Sequence, residues 1–359
     1  MKKKIIFIIP SLGGGGAERV FVNLVKEIDK SIFEVVLVSI TNKKNTYELP
    51  NNIKIINFNE KRVMRSPRKI IKLVWKEKPD LLVSTLGHMN QMILLLKPLF
   101  PQKTKVIIRQ TNIISMNKHN NLMARSIRLI NKRLLKGADK IICQSQFMKE
   151  DFIEHTGVSD CKVVKIYNPV DIEEVYRLSK ENVQYDFANQ KNIFFIGRLT
   201  PVKRVPLIIS AFADYHKKNA SSRLFILGDG PDKSKIQKII KGKKLEKHVK
   251  LIGFQQNPYK WLKNADLFIL ASKHEGMPNV LIEALALEIP TLILKHPGGT
   301  KDIVDAVDIQ ERFVEQLEIR QEMFKPYKKN VFHKVKRYFG IKNIVKQYEE
   351  VFLKVIYNK

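Results

Sequence analysis

The chain has few cysteines, few tryptophans, a deficit of acidic residues and no long apolar run. Its two cysteines, Cys143 and Cys161, are too few for a disulfide framework. They fit a reducing compartment and are expected to be buried, inert thiols. No stretch approaches the roughly 18 apolar residues of a spanning helix; the run at 92–96 stops at Lys97. Three lysines before an apolar stretch imitate a secretion signal at the start. Its apolar core is shorter than the roughly 7–15 residues such a signal needs, so residues 4–9 read as a buried first strand.

Acidic residues number 35 against 65 Lys and Arg, a net charge of +30. The excess concentrates in the first half, where residues 1–170 hold 31 basic and 13 acidic side chains. Apolar residues make up 44% of the 359, which excludes global disorder. The length suggests two domains. A polyanion, an anionic membrane or a phosphorylated substrate could each answer the charge.

Short apolar runs alternate with helical patterns. Strands are expected at 4–9, 34–40, 53–58, 80–85, 105–109, 140–144 and 162–167, with helices near 17–28, 65–78, 89–99, 119–136 and 146–155. Asn168-Pro169-Val170-Asp171 breaks the alternation, and a polar stretch at 179–191 follows. Strands resume at 192–196, 223–227, 248–252, 266–271 and 291–294, with helices at 203–218, 232–242, 258–263, 279–287 and 299–305. Runs of Ile, Val, Leu and Phe without polar alternation fit parallel sheets covered on both faces. The expected class is α/β, with two Rossmann-like domains facing across a cleft: residues 1–170, joined by a C-terminal helix at about 342–359, and residues 171–341. Ligands of such sheets bind at the carboxyl ends of the strands.

Strand-end motifs carry the chemistry. Ser11-Leu12-Gly13-Gly14-Gly15-Gly16-Ala17-Glu18-Arg19 opens a helix, where glycines admit an anion to backbone N–H groups. The Gly-x-Gly-x-x-Gly spacing is not met cleanly. The second strand ends without an acid for a ribose diol, which disfavours a dinucleotide. Gly197-Arg198-Leu199-Thr200-Pro201-Val202-Lys203-Arg204 puts cations directly after a strand, which suits a diphosphate. Gly228-Asp229-Gly230-Pro231 is a further strand-to-helix turn, its glycines shaping the loop. The most specific stretch runs from Ser272 to Ala286 and contains Glu275 and Glu283. Eight helical residues span about 12 Å, whereas a retaining glycosidase pair stands about 5–5.5 Å apart. Two separate contacts along one extended ligand are therefore expected.

These residues resemble the retaining, nucleotide-sugar-dependent glycosyltransferases of family 4, which have the two-domain GT-B fold. The likeness runs over at least residues 1–305 and rests on Gly13 to Glu18, Gly197 to Lys203, Gly228 to Pro231, Gly253-Phe254 and above all the Glu-x7-Glu of Glu275 and Glu283. The nearest subgroup builds bacterial surface polysaccharides and lipid-linked oligosaccharides. By that resemblance Arg198 and Lys203 neutralise the donor diphosphate. Glu275 holds hydroxyls of the transferred sugar, with the backbone of Gly276, Met277, Pro278, Asn279 and Val280. Glu283 holds the ribose diol, Gly15 and Gly16 touch the diphosphate, and Gly253 and Phe254 border the base. His88 and Arg109, at the ends of first-domain strands, are placed on the acceptor side. The implied reaction is front-face transfer from a nucleotide sugar, expected to be UDP-linked, to a polyprenyl-diphosphate-linked oligosaccharide or other glycan acceptor. No cofactor and no metal are expected, since no Asp-x-Asp stands at a strand end.

Two departures stand out. Lys203-Arg204 replaces the family's usual Lys-Gly, which alters the helix entry or adds a third cation. After Val304 the usual edge strand is expected to be missing, with residues 305–310 running into a charged helix. His274, His296 and His119 receive no firm role. Residues 61–78 hold eight cations and one acid, and 103–140 hold ten and one. At about 1 kcal/mol per cation at an anionic leaflet, such clusters could hold the protein peripherally at the inner face of the cytoplasmic membrane, with 119–136 as a basic amphipathic helix. Residues 103–140 contain no Phe, Tyr or Trp to stack on bases, so nucleic acid is not the expected partner. The sequence leaves the oligomeric state open. A nucleotide-sugar epimerase of similar fold and a non-enzymatic polyanion-binding protein are the alternatives.

Overall fold

The computed structural model describes residues 2–41, 49–116, 132–327 and 330–358. The chain divides into two compact units, Met1–Pro169 with Ile341–Lys359, and Val170–Gly340. In the first unit seven strands form one sheet: β1 Lys3–Ile9, β2 Phe33–Thr41, β3 Lys54–Glu60, β4 Leu81–Thr85, β5 Lys105–Arg109, β6 Lys140–Cys143 and β7 Val163–Lys165. Their order is β3-β2-β1-β4-β5-β6-β7, and every pairing is parallel. The order reverses direction at β1 and β4, the switch point of a Rossmann-like sheet.

Alternation along β1 assigns side chains to two layers. Ile6 and Ile8 pack with Ile70, Val74, Met89 and Ile93 from the helices Pro67–Glu77 and Gly87–Leu96. Ile5, Phe7 and Ile9 pack on the other face with Val20, Phe21 and Leu24 of the helix Gly16–Glu27. The same face receives Ile344, Tyr348 and Phe352 of the helix Ile341–Ile356. The Phe352 ring lies edge-on to Phe7, with centroids 6.0 Å apart.

The second unit has six parallel strands: β8 Lys191–Ile196, β9 Ser222–Leu227, β10 Val249–Gly253, β11 Leu267–Leu270, β12 Thr291–Leu294 and β13 Phe313–Val314. Their order is β10-β9-β8-β11-β12-β13, with the switch point between β8 and β11. One face packs Ile193 and Phe195 against Ile208, Phe212, Ile236 and Ile240. On the other, Phe194 and Phe225 stack at 4.7 Å. Tyr185 and Phe187, from the stretch that reads as polar, pack against Phe225 and Trp261.

Two expectations are corrected. The edge strand is present: Phe313 and Val314 pair with Ile293 and Leu294. The helix Thr300–Val307 stops because Asp308 takes a left-handed conformation. Buried Arg312 then fixes the following segment, donating to the carbonyls of Met323 and Lys325 at 2.6 and 2.7 Å. A two-residue strand is too short for a hydrophobic period to mark it. Second, only Cys143 is buried, while Cys161 is exposed. The basic helix expected at 119–136 lies mostly outside the described residues, as does His119.

Candidate functional site

The second unit gathers the site at its switch point. After β8 the chain turns through Gly197 to Leu199, and a short helical turn, Pro201–Lys203, leads into the helix Val205–Lys218. The neighbouring turn after β9 lies directly against it. Leu199 N–H donates to Asp229 at 2.9 Å and Asp232 N–H donates to Leu199 at 3.1 Å. A Cβ on Gly228 would lie 2.0 Å from the Gly197 carbonyl oxygen, and one on Gly230 would lie 2.3 Å from that of Leu199. These glycines permit a close backbone approach and thereby fix the path of the Arg198–Lys203 segment.

The loop after β11 comes to meet it. Lys203 Nζ forms an ion pair with Glu275 Oε1, and Ser272 Oγ donates to the same oxygen at 2.6 Å. Lys273 N–H donates to the Val202 carbonyl at 2.7 Å. Arg204 donates through Nε to Ala271 and through Nη2 to Ser272, both carbonyls at 2.6 Å. The loop after β12 closes the other side. Gly299 N–H donates to Glu275 and Gly276 carbonyls at 3.0 and 3.1 Å, and Glu275 N–H to Pro297 at 3.3 Å. Lys203 and Glu275, 72 residues apart in sequence, thus meet across the point where the strand order reverses.

Glu283 lies in the helix Asn279–Ala286 and is 4% exposed. Its Oε1 accepts the Tyr259 hydroxyl at 3.1 Å. Met277 and Pro278 are buried at the start of this helix, while Gly276, Asn279 and Val280 are half-buried. Gly253 has φ +81° at the end of β10, and Phe254 beyond it is 65% exposed, an uncovered aromatic face. Arg198 is exposed, with no ion pair among the described residues. An exposed cation, a carboxylate held by two donors, a buried carboxylate on a helix and an open ring are groups able to bind an anionic, hydroxyl-rich ligand.

Four contributors carry no role in the sequence reading: Ser272, Tyr259, Arg204 as a brace, and His296. The His296 ring bonds the Pro297 carbonyl and Thr300 Oγ1, both at 3.0 Å. Burial holds its pKa below the ordinary imidazole value, against the Pro297 hydrogen bond and the nearby Glu275 charge. Its place at the end of β12 was the available signal.

In the first unit, Gly15 precedes the helix Gly16–Glu27, and its N–H donates to Glu18 Oε2 at 2.5 Å. Ser11 Oγ donates to Glu18 Oε1, also at 2.5 Å. Buried Glu18 therefore shapes the glycine loop from within. His88 is exposed in the first turn of Gly87–Leu96, directly after Leu86 at φ +72°. Arg109 is a correction. It is fully buried and donates to Tyr348 Oη at 3.2 Å, Thr85 Oγ1 at 3.5 Å and Asn168 Oδ1, so it is not presented to an acceptor. Its position as the last residue of β5 turns it into the unit instead of out of it.

Residues 14–174 match the model of Glycosyltransferase Family 4, and residues 179–316 match that of Glycosyl transferases group 1. An uncharacterized glycosyltransferase of Methanocaldococcus jannaschii is 32% identical over 70% of this chain and 66% of its own length. The N-acetylgalactosamine-N,N'-diacetylbacillosaminyl-diphospho-undecaprenol 4-alpha-N-acetylgalactosaminyltransferase of Campylobacter jejuni is 32% identical over 84% of this chain and 83% of its own. The crystal structure of HepE from Anabaena, in complex with UDP and glucose, superposes with a TM-score of 0.77 at 17% identity, covering 98% of this chain and all of that one.

Proposed function

The chain belongs to glycosyltransferase family 4, and from that premise we propose that it is a retaining hexosyltransferase moving a sugar from a UDP-linked donor to a polyprenyl-diphosphate-linked glycan in surface-polysaccharide synthesis. One observation carries the reading: the Lys203–Glu275 ion pair, braced by Ser272, at the switch point of the second sheet. The arriving diphosphate draws Lys203 from Glu275, which frees the carboxylate for hydroxyls of the transferred sugar. Arg198 adds a second cation, the buried Glu283 takes the ribose diol, and Phe254 flanks the base. As the sugar–oxygen bond breaks, charge accumulates on the leaving diphosphate. Fixed cations there lower the barrier without reorganisation. The acceptor proton passes to a phosphate oxygen, so no protein nucleophile enters the scheme. The charge falls to Arg198 and Lys203 in place of a metal ion. The Campylobacter relative, by its name, takes a diphospho-undecaprenol acceptor, and the Anabaena structure holds UDP, which supports both ends of the reaction.

Glu275→Gln and Lys203→Ala are each expected to cut kcat/KM by about 100-fold or more, with Tm little changed and no effect of EDTA on the wild type. The product anomer, read by NMR, should equal that of the donor. Normal turnover in either variant, or an inverted anomer, overturns the proposal.

The proposed workplace is an anionic bilayer at the inner face of the cytoplasmic membrane. Arg68, Lys72, Trp75 and Lys76 recur at helical spacing on Pro67–Glu77, and Trp75 is 53% exposed. Trp75 Nε1 donates to the Leu99 carbonyl at 2.9 Å, beside the exposed Leu95 and Leu99 side chains. None of Lys61, Arg62, Arg65, Arg68, Lys72 and Lys76 has an ion pair among the described residues, which suits anionic headgroups around an interfacial tryptophan. Co-sedimentation with phosphatidylglycerol vesicles, falling with salt and with Trp75→Ser, is the expected result. Equal binding to neutral vesicles would count against it.

A further inference from the structure

Arg204 stands where a glycine would be easiest. Its φ of +49° and ψ of +38° place it in the left-handed region, which costs a non-glycine residue on the order of 1 kcal/mol. Its side chain works against the neighbouring loop. Two of its donors, Nε and Nη2, are committed to the consecutive carbonyls of Ala271 and Ser272. These carbonyls directly follow β11 and precede Glu275 by four and three residues. Lysine offers a point charge where arginine offers a planar fork, so two adjacent carbonyls in fixed positions call for arginine. The backbone bond from Lys273 N–H to Val202 closes the same contact from the other strand end. Neighbouring residues thus face opposite tasks: Lys203 reaches Glu275, and Arg204 holds the loop that carries it.

We propose that Arg204 is a positioning residue that sets the spacing of Lys203 and Glu275, and that it is not a third cation for the diphosphate. The inference rests on the transferase reading above. Misplacement of reacting groups by about 1 Å can cost 100-fold in rate, so a brace at this point acts on kcat more than on nucleotide affinity.

The test compares Arg204→Lys, which keeps the charge and loses the fork, with Arg204→Gly, which also relaxes the backbone. Both are expected to lower kcat at least tenfold, while the Kd of UDP by calorimetry stays within threefold of wild type. Tm of Arg204→Gly should equal or exceed that of Arg204→Lys, separating lost rate from lost stability. Hydrogen exchange at the Lys273 and Glu275 amides should accelerate at least tenfold in Arg204→Lys. Wild-type kcat in either variant overturns the proposal. So does normal behaviour of Arg204→Lys together with weakened UDP binding by Arg204→Gly, which marks a diphosphate contact. If the wild type itself transfers no sugar, the functional reading fails, and unchanged exchange at 273 and 275 then overturns the brace separately.

Discussion

Residue by residue, burial decides chemistry that composition cannot. Cys143, fully buried at the end of β6, has its thiol pushed up to about 12, first by burial and then by the charge of Asp151. Cys161 is exposed, 3.1 Å from Ser159 Oγ. Native protein should therefore react with one equivalent of a thiol reagent, lost in Cys161→Ser, and take up a second only at the rate of unfolding. His296 makes a pH prediction. Burial lowers its pKa in the folded chain, so below about 6.5 the unfolded chain binds more protons. Its contribution to stability is present above that value. It is lost as pH falls from the unfolded pKa toward the lower folded one. Tm should drop between pH 7.5 and 5, and the drop should be smaller in His296→Gln. The candidate donor residues Arg198, Lys203 and Glu275 are picked out by strand-end position and residue type, and Glu283, inside the helix Asn279–Ala286, by its spacing from Glu275. The partners that orient them were not legible: Ser272 shares the loop of Glu275 but no spacing marks its hydroxyl as the partner, and Tyr259 stands on a separate helical turn, Tyr259–Leu262, 24 residues before Glu283.

Elements tell a similar story. Short apolar runs without polar alternation announced the central strands, since a strand buried on both faces cannot alternate. The short edge strand β13 was missed, because its two residues carry no period and its placement depends on Arg312 and the carbonyls of Met323 and Lys325. Arg109 binds three elements at once: Tyr348 of the C-terminal helix, Thr85 at the end of β4 and Asn168. Arg109→Ala leaves those buried partners unsatisfied and opens a cavity. It should cost about 2–4 kcal/mol of unfolding free energy in urea. Activity measured well below Tm should survive, and a loss of kcat with unchanged stability would restore Arg109 to the acceptor side. Gly228→Ala should damage the second unit, because the added methyl would lie 2.0 Å from the Gly197 carbonyl oxygen and the residue holds φ +132°.

At the scale of the whole molecule, the chain leaves the first unit at Pro169 and returns to it at Ile341. The returning helix places Ile344, Tyr348 and Phe352 in the first core, all fully buried. At about 1.5–3 kcal/mol for each buried large side chain, their removal approaches the 5–15 kcal/mol that keeps a typical protein folded. Deleting residues 341–359 should abolish the cooperative urea transition of the first unit; a truncated chain with an unchanged midpoint would refute this. No helix among the described residues is long and apolar enough to cross a membrane.

The sequence by itself determined two parallel α/β sheets and the strand-end motifs with their paired glutamates, because hydrophobic period and motif spacing are local properties. Only the tertiary structure decided that Arg109 is buried, that Arg204 braces a loop, that Glu18 folds into its own glycine turn and that Lys203 meets Glu275. Glu18 answers to Gly15 and Ser11 within its own turn, and the other three depend on residues distant in sequence brought together at a strand end; in all four, packing and hydrogen-bond geometry assign the role.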